Sequence, residues 1–381
     1  MKLLVTSILL FLVQLTIGQG LVRIKGSLKN LDNHAINIHY TESGKNKKIQ
    51  VASSNGTFEA SVPIDYAQEI NIYPAKYFAN AIQLKQSKRY LVAPPIFLFV
   101  APGDEIILTG DAMKMWAADV RGGMFNKELA AFNKKIIPIS GEIFAAAAQR
   151  QIAKNDDNKA EVSKKSEELS KLAGQKNAIL KDYIVNHTDL FSLYLFSQRM
   201  GGLQPKEISD LFERYPEDLK STVYGQKIRD FMTAEAKSSI QSPMIDFKGK
   251  TLAGKDFDSK ELRGKYVLLD FWGSWCQPCR KSHPHLLALY NQYKPKGFEI
   301  VGIAKERGAD PISSWEKAVK EDNIQWIHLL HNQLQEQRDL IKEYSITAFP
   351  TKILIDPNGT IIWKGVGDQG DDLDKQLAKI F

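Results

Sequence analysis

The chain contains two cysteines in 381 residues, Cys276 and Cys279, and they form one Cys-x-x-Cys pair. Two thiols at this spacing, with no other cysteine, do not make a disulfide framework, and the motif is typical of thiol–disulfide exchange. A structural disulfide that closes a very short loop is the alternative. We therefore predict a redox-active pair that alternates between a dithiol and a disulfide.

The residues around the pair predict a strand, a short loop and a helix. Residues 266–272 are apolar, β-branched and aromatic, as in a buried strand, and residues 276–293 have helical periodicity. Cys276 would lie at the helix N-terminus, where free N–H groups and the helix dipole stabilise a thiolate. We expect Cys276 to attack and the less exposed Cys279 to resolve the mixed disulfide. Pro278 suits the first helical turn because it has no N–H group to leave unpaired.

Charged residues and histidines follow the pair. Arg280 and Lys281 add positive charge near the thiolate and should stabilise it. His283 and His285 complete a Cys-x2-Cys-x3-His-x-His pattern that could indicate zinc. Because residues two apart on a helix point in different directions, the two histidines do not readily reach one metal. We expect no metal and no other cofactor, although one histidine could act on the thiolate electrostatically.

Residues 1–18 predict a secretory signal peptide. An apolar run of about fifteen residues follows Lys2, and small residues precede the cleavage that we expect after Gly18. An uncleaved membrane anchor is the alternative, but the run is shorter than the roughly 20 residues that a spanning helix needs. Export would place the pair in the periplasm or cell envelope, where a disulfide persists unless a donor reduces it.

The composition is that of a globular protein of two or three domains. Lys and Arg number 51 and Asp and Glu 44, which gives a formal net charge of +7. Such a mild surplus is typical of a soluble surface. Since no basic cluster is interleaved with aromatic residues, we expect no nucleic-acid partner.

Two regions of different character follow the predicted signal peptide. Residues 19–115 contain short alternating runs separated by turns, which predict a small antiparallel β sandwich or barrel. Its strands are expected at residues 21–26, 36–40, 70–73 and 96–100. Residues 116–240 are rich in Lys, Glu and Ala and predict an α-helical region, including residues 144–153 and a helix ending near Asn186.

The last region, residues 241–381, predicts a mixed α/β sheet flanked by helices. Parallel strands with crossover helices would be followed by an antiparallel hairpin that turns at residues 356–359. The expected strands are residues 266–272, 298–304, 326–330, 352–355 and 361–364. The expected helices are residues 276–293, 311–322 and 334–344, with a last helix from about Asp371.

Four features of this region match one family in type and spacing. They are Trp275 with the Cys-x-Pro-Cys sequence that follows it, Asp270 six residues before Cys276, Pro284 inside the helix, and the run Phe349, Pro350, Thr351. With these features the region resembles the thioredoxin-like domain of exported TlpA/ResA-type thiol–disulfide oxidoreductases. Residues 19–115 resemble the small β domain that precedes such domains in Bacteroidetes proteins.

The resemblance implies roles for particular residues. Asp270 would be a buried acid that accepts a proton from Cys279, since burial disfavours a charged carboxylate; an acid at a solvated edge is the alternative. Pro350 would be cis and would expose the neighbouring backbone to a substrate strand, with an ordinary trans proline as the alternative. Substrate binding would involve Trp275, Pro278, Phe349, Pro350 and Thr351.

The resemblance also implies a function. We expect an exported thiol–disulfide oxidoreductase that takes electrons from a membrane thiol donor and reduces disulfides in envelope proteins. The buried acid and the Gln277, Pro278 dipeptide resemble reductive members more than strong oxidants. Ser282 departs from the family, because ResA-type reductases have an acidic residue three positions after the second cysteine. Narrow specificity for cytochrome maturation is therefore not expected.

Two other functions compete with this one. A thiol peroxidase is the first, but those enzymes have Thr or Ser three residues before the cysteine, where this chain has Gly273. The second is a redox-sensing binding protein that acts through residues 19–240, which could also form a homodimer. A truncated chain that begins near Gln241 would separate catalysis from partner binding.

Overall fold

A computed structural model describes residues 20–75, 82–83, 90–91, 94–367 and 370–381. The predicted signal peptide, residues 1–18, lies outside these residues. The chain divides into two compact units, Met1–His187 and Thr188–Phe381. This division falls within the predicted helical region, residues 116–240, and the predicted domain limits stay a prediction.

The described part of the first unit contains two four-stranded sheets and one short pair of strands. Its strands are β1 (Gly20–Lys29), β2 (Ile36–Glu42), β3 (Lys45–Val51), β4 (Thr57–Ile64), β5 (Gln68–Pro74), β6 (Ile82–Gln83), β7 (Tyr90–Leu91), β8 (Ile96–Val100), β9 (Glu105–Asp111) and β10 (Asp119–Gly122). The sheet orders are β10-β9-β1-β4 and β3-β2-β5-β8, and β6 pairs with β7. The four predicted strands are confirmed.

The two four-stranded sheets share one hydrophobic core. Side chains alternate between core and solvent along β1, as the period of a strand requires. Val22 and Ile24 of one sheet and Ile38 and Ile72 of the other belong to the same buried cluster. This is the predicted sandwich, with one difference from a wholly antiparallel one. β1 and β9 are parallel, because the chain crosses from one sheet to the other between β8 and β9.

Two long helices complete the first unit. They are α1 (Asn126–Asn155) and α2 (Lys159–Asn186), and they pack against each other. The side chain of Asn158 caps α2 by accepting a hydrogen bond of 3.1 Å from the backbone N–H of Glu161. The predicted helix at residues 144–153 lies within α1, and the predicted end near Asn186 is confirmed.

The second unit begins with four helices. They are α3 (Leu190–Ser197), α4 (Pro205–Glu213), α5 (Glu217–Lys220) and α6 (Val223–Lys237). Two ion pairs join α6 to the sheet region of the same unit: Asp230 binds Lys342 at 2.8 Å and Glu235 binds Lys364 at 2.9 Å. The helices are therefore part of the same compact unit as the cysteine pair.

A mixed sheet forms the centre of the described second unit. The strands are β11 (Lys248–Lys250), β12 (Asp256–Asp258), β13 (Tyr266–Trp272), β14 (Phe298–Ala304), β15 (Ile327–Leu330), β16 (Thr351–Ile355) and β17 (Ile361–Val366). The helices are α7 (Gln277–Tyr293), α8 (Pro311–Glu321), α9 (Leu340–Glu343) and α10 (Gly370–Ile380). The five-stranded order is β15-β14-β13-β16-β17, and β11 pairs with β12.

Strand directions in this sheet follow the prediction. β13, β14 and β15 are parallel, whereas β16 and β17 form an antiparallel hairpin at the opposite edge. Hydrophobic clusters cover both faces: Leu268 and Trp272 belong to one, and Leu269 and Phe271 to the other. By the same alternation, Asp270 lies on the face of Leu268 and Trp272, which α7 covers.

One predicted helix is wrong in extent. Residues 334–344 form only the short helix α9 and a 3-10 turn at Gln335–Gln337. Glu336 has a left-handed backbone with a φ of 57°, which interrupts a right-handed helix. Asp339 then caps α9 by accepting a hydrogen bond from the backbone N–H of Lys342. Across the described residues, no helix combines the length and apolar character needed to cross a membrane.

Candidate active site

Cys276 and Cys279 lie at the N-terminus of α7 and form a disulfide, with a Cα–Cα distance of 5.3 Å. Cys276 is the N-cap residue, and its Sγ accepts a hydrogen bond of 3.3 Å from the backbone N–H of Cys279. Cys279 is 1% exposed and Cys276 4% exposed, which is the predicted order. A thiolate at the position of Cys276 would receive both this hydrogen bond and the helix dipole.

The loop before Cys276 is held by the segment that follows β14. The backbone N–H and the hydroxyl of Ser274 donate hydrogen bonds of 2.7 and 2.6 Å to the carboxylate of Glu306. The indole N–H of Trp275 donates to the carbonyl of Lys305 at 2.8 Å. A methyl group at Gly273 would lie 2.6 Å from Trp275 Nε1, so the Thr or Ser of a peroxidase would not fit here unchanged.

The predicted substrate-binding residues lie beside the pair. Trp275 is 38% exposed, and its ring lies 5.5 Å from that of Phe349 in an edge-to-face arrangement. The guanidinium of Arg307 lies 3.6 Å from the centre of the Trp275 ring. The Phe349–Pro350 bond is cis, as predicted. Thr351 is buried in β16, and its hydroxyl donates to a backbone carbonyl of the preceding turn at 2.7 Å.

Asp270 is buried on the side of the sheet that α7 covers. It is 1% exposed, so the expectation of a buried rather than solvated acid is met. Neither of its carboxylate oxygens has a hydrogen-bond partner within the described part of the chain. The ring nitrogen Nε2 of His283 lies 3.9 Å from Asp270 Oδ2, and Nζ of Lys352 lies 4.0 Å from Oδ1. A buried carboxyl group without a hydrogen bond is costly, so its presence beside α7 favours a chemical role over a structural one.

A second acid, Asp322, links α7 to the end of α8. Its carboxylate accepts hydrogen bonds from His283 Nδ1 at 2.7 Å and from the guanidinium of Arg280 at 2.6 to 3.1 Å. Arg280 also binds Glu321 at 2.9 Å. Burial alone would raise the pKa of Asp322, but the hydrogen bonds from Arg280 and His283 lower it below its usual value. The charge of Arg280, which we predicted to act on the thiolate, is therefore directed at two carboxylates.

Lys352 is a buried lysine that sequence analysis did not single out. It is opposite Asp270 in the antiparallel register of β13 and β16. Its ammonium lies 3.4 Å from the hydroxyl of Ser282, the residue that stands where ResA-type relatives have an acid. The same ammonium lies 4.0 Å from Oδ1 of the buried Asp270.

The two histidines of α7 diverge, as their spacing predicted. His283 is buried between Asp270 and Asp322, whereas His285 is exposed and lies 2.9 Å from Asp374. Among the residues for which the structure gives a position, no group of three or more His, Cys, Asp and Glu side chains is arranged to hold a metal ion.

Sequence reasoning missed Glu306, Asp322 and Lys352. Each lies far along the chain from the cysteine pair, and loop or helix-end acids such as Glu306 and Asp322 carry no motif. Lys352 could have been found from the sequence. Antiparallel pairing of the predicted strands 266–272 and 352–355 in the observed register brings it opposite Asp270. That inference needs a register, which the hydrophobic pattern of two buried strands does not fix.

Known proteins match a part of the chain that includes the cysteine pair. A family model described as thioredoxin-like matches residues 264–361. The ResA thiol-disulfide oxidoreductase of Bacillus thuringiensis subsp. konkukian is 33% identical over 151 residues, which are 39% of this chain and 83% of that protein. The ResA of Geobacillus kaustophilus is 31% identical over 152 residues, or 40% of this chain and 83% of that protein.

A solved thioredoxin domain of a thiol-disulfide oxidoreductase from Bacteroides vulgatus is 36% identical. The match covers 37% of this chain and 97% of that domain, with a TM-score of 0.33. The cysteine pair at the start of α7 and the extent of the ResA match agree on one assignment. Through its second unit, the chain belongs to the thioredoxin-like family of ResA-type thiol–disulfide oxidoreductases.

Proposed function

We propose that this chain is an exported reductase of protein disulfides that works in the periplasm or cell envelope. The observation that carries the proposal is the position of Cys276, whose Sγ caps α7 and lies 3.3 Å from the backbone nitrogen of Cys279. This position stabilises an attacking thiolate and keeps the resolving sulfur within bonding distance.

The proposed reaction has two exchange steps. The thiolate of Cys276 attacks one sulfur of a substrate disulfide, which breaks that bond and releases the other sulfur as a thiolate. Cys279 then loses its proton and attacks Cys276, which releases the second substrate sulfur and forms the Cys276–Cys279 disulfide. The substrate gains two electrons, and the chain must be reduced again by a dithiol donor, for which we propose a thiol protein of the membrane.

Asp270 is proposed as the acceptor of the proton that Cys279 loses. It lies on the α7 side of β13, is buried, and has no hydrogen bond within the described residues that would occupy its oxygens. Proton acceptance by a positioned carboxylate typically accelerates a step by about 10²- to 10⁴-fold.

Trp275 and Phe349 are proposed to contact the substrate. Trp275 is exposed and directly precedes Cys276, and partly buried Phe349 packs against the cluster that contains both cysteines. Arg307 above the Trp275 ring adds a cation at the same place. The carbonyl of Pro350 already accepts a hydrogen bond of 2.8 Å from Gly367, so a substrate strand would pair with the backbone of Phe349. This arrangement favours an extended protein segment over a small peroxide.

The direction of electron flow and the location are proposed from the sequence. Gln277 and Pro278 between the cysteines and the buried Asp270 resemble reductive relatives, whereas Ser282 argues against narrow cytochrome-maturation specificity. Export is supported by the pattern of residues 1–18. If it is correct, chains recovered from the envelope of an expressing cell will begin at Gln19, as mass spectrometry of the N-terminus can determine.

Trapping of the mixed disulfide tests the reaction. Reduced Cys279→Ser, mixed with a disulfide-bonded peptide, should accumulate a covalent complex of one chain and one peptide, because the resolving sulfur is missing. Cys276→Ser is the matched control and should form none. A complex on Cys276→Ser alone, or on neither variant, would contradict the assigned roles; mass spectrometry without reductant gives the answer.

A further inference from the structure

Three buried polar atoms lie close together in the second unit without hydrogen-bond partners among the described residues. They are the two carboxylate oxygens of Asp270 and Nε2 of His283, which is itself 1% exposed. The distance from His283 Nε2 to Asp270 Oδ2 is 3.9 Å. Unpaired buried polar atoms are costly, so a cluster of them indicates a role other than stability.

The other ring nitrogen of His283, Nδ1, contacts a second carboxylate. Nδ1 of His283 lies 2.7 Å from Asp322 Oδ2, and Asp322 also binds Arg280. These hydrogen bonds keep Asp322 ionised at neutral pH by lowering its pKa against the effect of burial. An ionised carboxylate only accepts hydrogen bonds, so Nδ1 carries a proton toward Asp322, and Nε2 is the ring nitrogen that faces Asp270.

The remaining groups around the ring do not compete for this proton. Trp272 and Trp326 contribute aromatic surface. His328 of β15 is neutral at pH 7, because burial lowers its pKa to about 4. Lys352 of β16 approaches Asp270 Oδ1, the oxygen farther from the interaction with His283. On the solvent side, Asp322 binds Arg280, which also binds Glu321.

We propose that His283 is a positioning residue that conducts the proton of the resolving step from buried Asp270 to Asp322 and solvent. The proposal rests on the function proposed above and deepens it. His283 acts through Asp270 and does not touch the sulfur atoms in this account.

In the resolving step the proton of Cys279 is passed to Asp270, and a proton then reaches water through His283 and Asp322. Cys279 gives its thiol proton to Asp270, and the resulting thiolate attacks Cys276 and expels the substrate sulfur as a thiolate. Asp270 passes the proton to Nε2 of His283 after a small rotation of the carboxyl group, because 3.9 Å exceeds hydrogen-bond distance. The ring gives its Nδ1 proton to Asp322, which releases it to water, and a single flip of the ring then returns the protonated nitrogen to the side of Asp322. No oxidant or reductant beyond the two disulfides takes part.

The test compares both exchange steps in the full-length chain. Wild type, His283→Gln and His285→Gln are mixed in reduced form with a disulfide peptide, quenched with acid, and analysed by mass spectrometry over time. His285 is the matched control because it lies on the same helix but is exposed and bound to Asp374. Glutamine can hydrogen-bond in place of the ring but cannot carry a proton.

For His283→Gln we expect the resolving step to slow about tenfold near neutral pH, so that the mixed disulfide accumulates, while attack by Cys276 is unchanged. The defect should shrink between about pH 6 and 9, because hydroxide replaces the relay as pH rises. His285→Gln should match wild type at every pH.

Asp322→Asn tests the same route from its more exposed end and leaves the buried ring in place. It should slow the resolving step in the same way, and the double variant should be no slower than either single one, since both block one path. The relay is overturned if His283→Gln and Asp322→Asn both complete the resolving step at the wild-type rate. It is also overturned if these variants slow the attack by Cys276 as much as the resolving step. A wild-type chain that forms no mixed disulfide overturns the proposed function together with the relay.

Discussion

The carboxylate of Glu306 binds Ser274 twice. Its Oε1 accepts a hydrogen bond of 2.7 Å from the backbone N–H, and its Oε2 accepts one of 2.6 Å from the hydroxyl. Ser274 lies two residues before Cys276, and Glu306 lies just beyond the end of β14. The pair therefore anchors the loop that carries the attacking cysteine to the neighbouring strand of the sheet.

Glu306→Ala should lower the free energy of unfolding of the oxidised chain by about 2 to 3 kcal/mol. The reason is that Glu306 is buried, and its removal leaves the Ser274 N–H without a charge-assisted hydrogen bond. Urea unfolding measures the change, and exposed Glu316 of α8 provides the control variant Glu316→Ala. Equal loss in the two variants would mean that the Ser274–Glu306 pair contributes no stability of its own.

The secondary-structure elements that were predicted best are those determined by their own run of residues. Strands β13 and β14 have the predicted limits, because each is a buried run of mostly apolar residues with a single acid inside it. The helix predicted at residues 334–344 is wrong because Glu336 takes a left-handed backbone, which its residue type does not indicate. Apolar spacing alone did not reveal that interruption.

In the candidate site as well, residues with a sequence signal were predicted and residues that depend on long-range contacts were not. Cys276, Cys279, Asp270 and cis Pro350 follow from motif and spacing. Asp322 contacts Arg280 and His283 across 42 and 39 residues of sequence, and such long-range polar contacts depend on how α7 packs against the end of α8. No periodicity encodes that packing, so the acid that turns His283 toward Asp270 could be found only in the structure.

Removal of the Arg280 side-chain charge should make the pH dependence of stability weaker. Hydrogen bonds from Arg280 and His283 lower the pKa of Asp322 below its ordinary value of 3.8 against the effect of burial, so this stabilisation is present above that pH and is lost as the pH falls below it. We expect Arg280→Met to lose about 1 to 3 kcal/mol near neutral pH and progressively less in acid.

Urea unfolding at several pH values measures the Arg280→Met effect. Lys281→Met is the matched control, because Lys281 is the exposed neighbour on α7. A stability difference between wild type and Arg280→Met that stays constant from neutral pH into the acid range would show that Asp322 is not the partner responsible.

Removal of helices α3 to α6 should destabilise the catalytic region. A chain that begins at Thr188 retains the pairs of Asp230 with Lys342 and Glu235 with Lys364, whereas one that begins at Gln241 loses both. Glu235 and Lys364 are largely buried, so we expect the shorter chain to be less stable by about 1 to 3 kcal/mol. Urea midpoints of the two oxidised fragments measure this, and identical midpoints would contradict it.

The reduction potential of the Cys276–Cys279 couple tests the central claim most directly. The chain is equilibrated in defined thiol buffers, and its oxidation state is determined by mass after alkylation. The account predicts a two-electron couple near or below about −250 mV, in the range of thioredoxin, as a reductase requires. A value above about −150 mV would assign disulfide formation instead, and a pair that does not cycle would contradict thiol–disulfide exchange altogether.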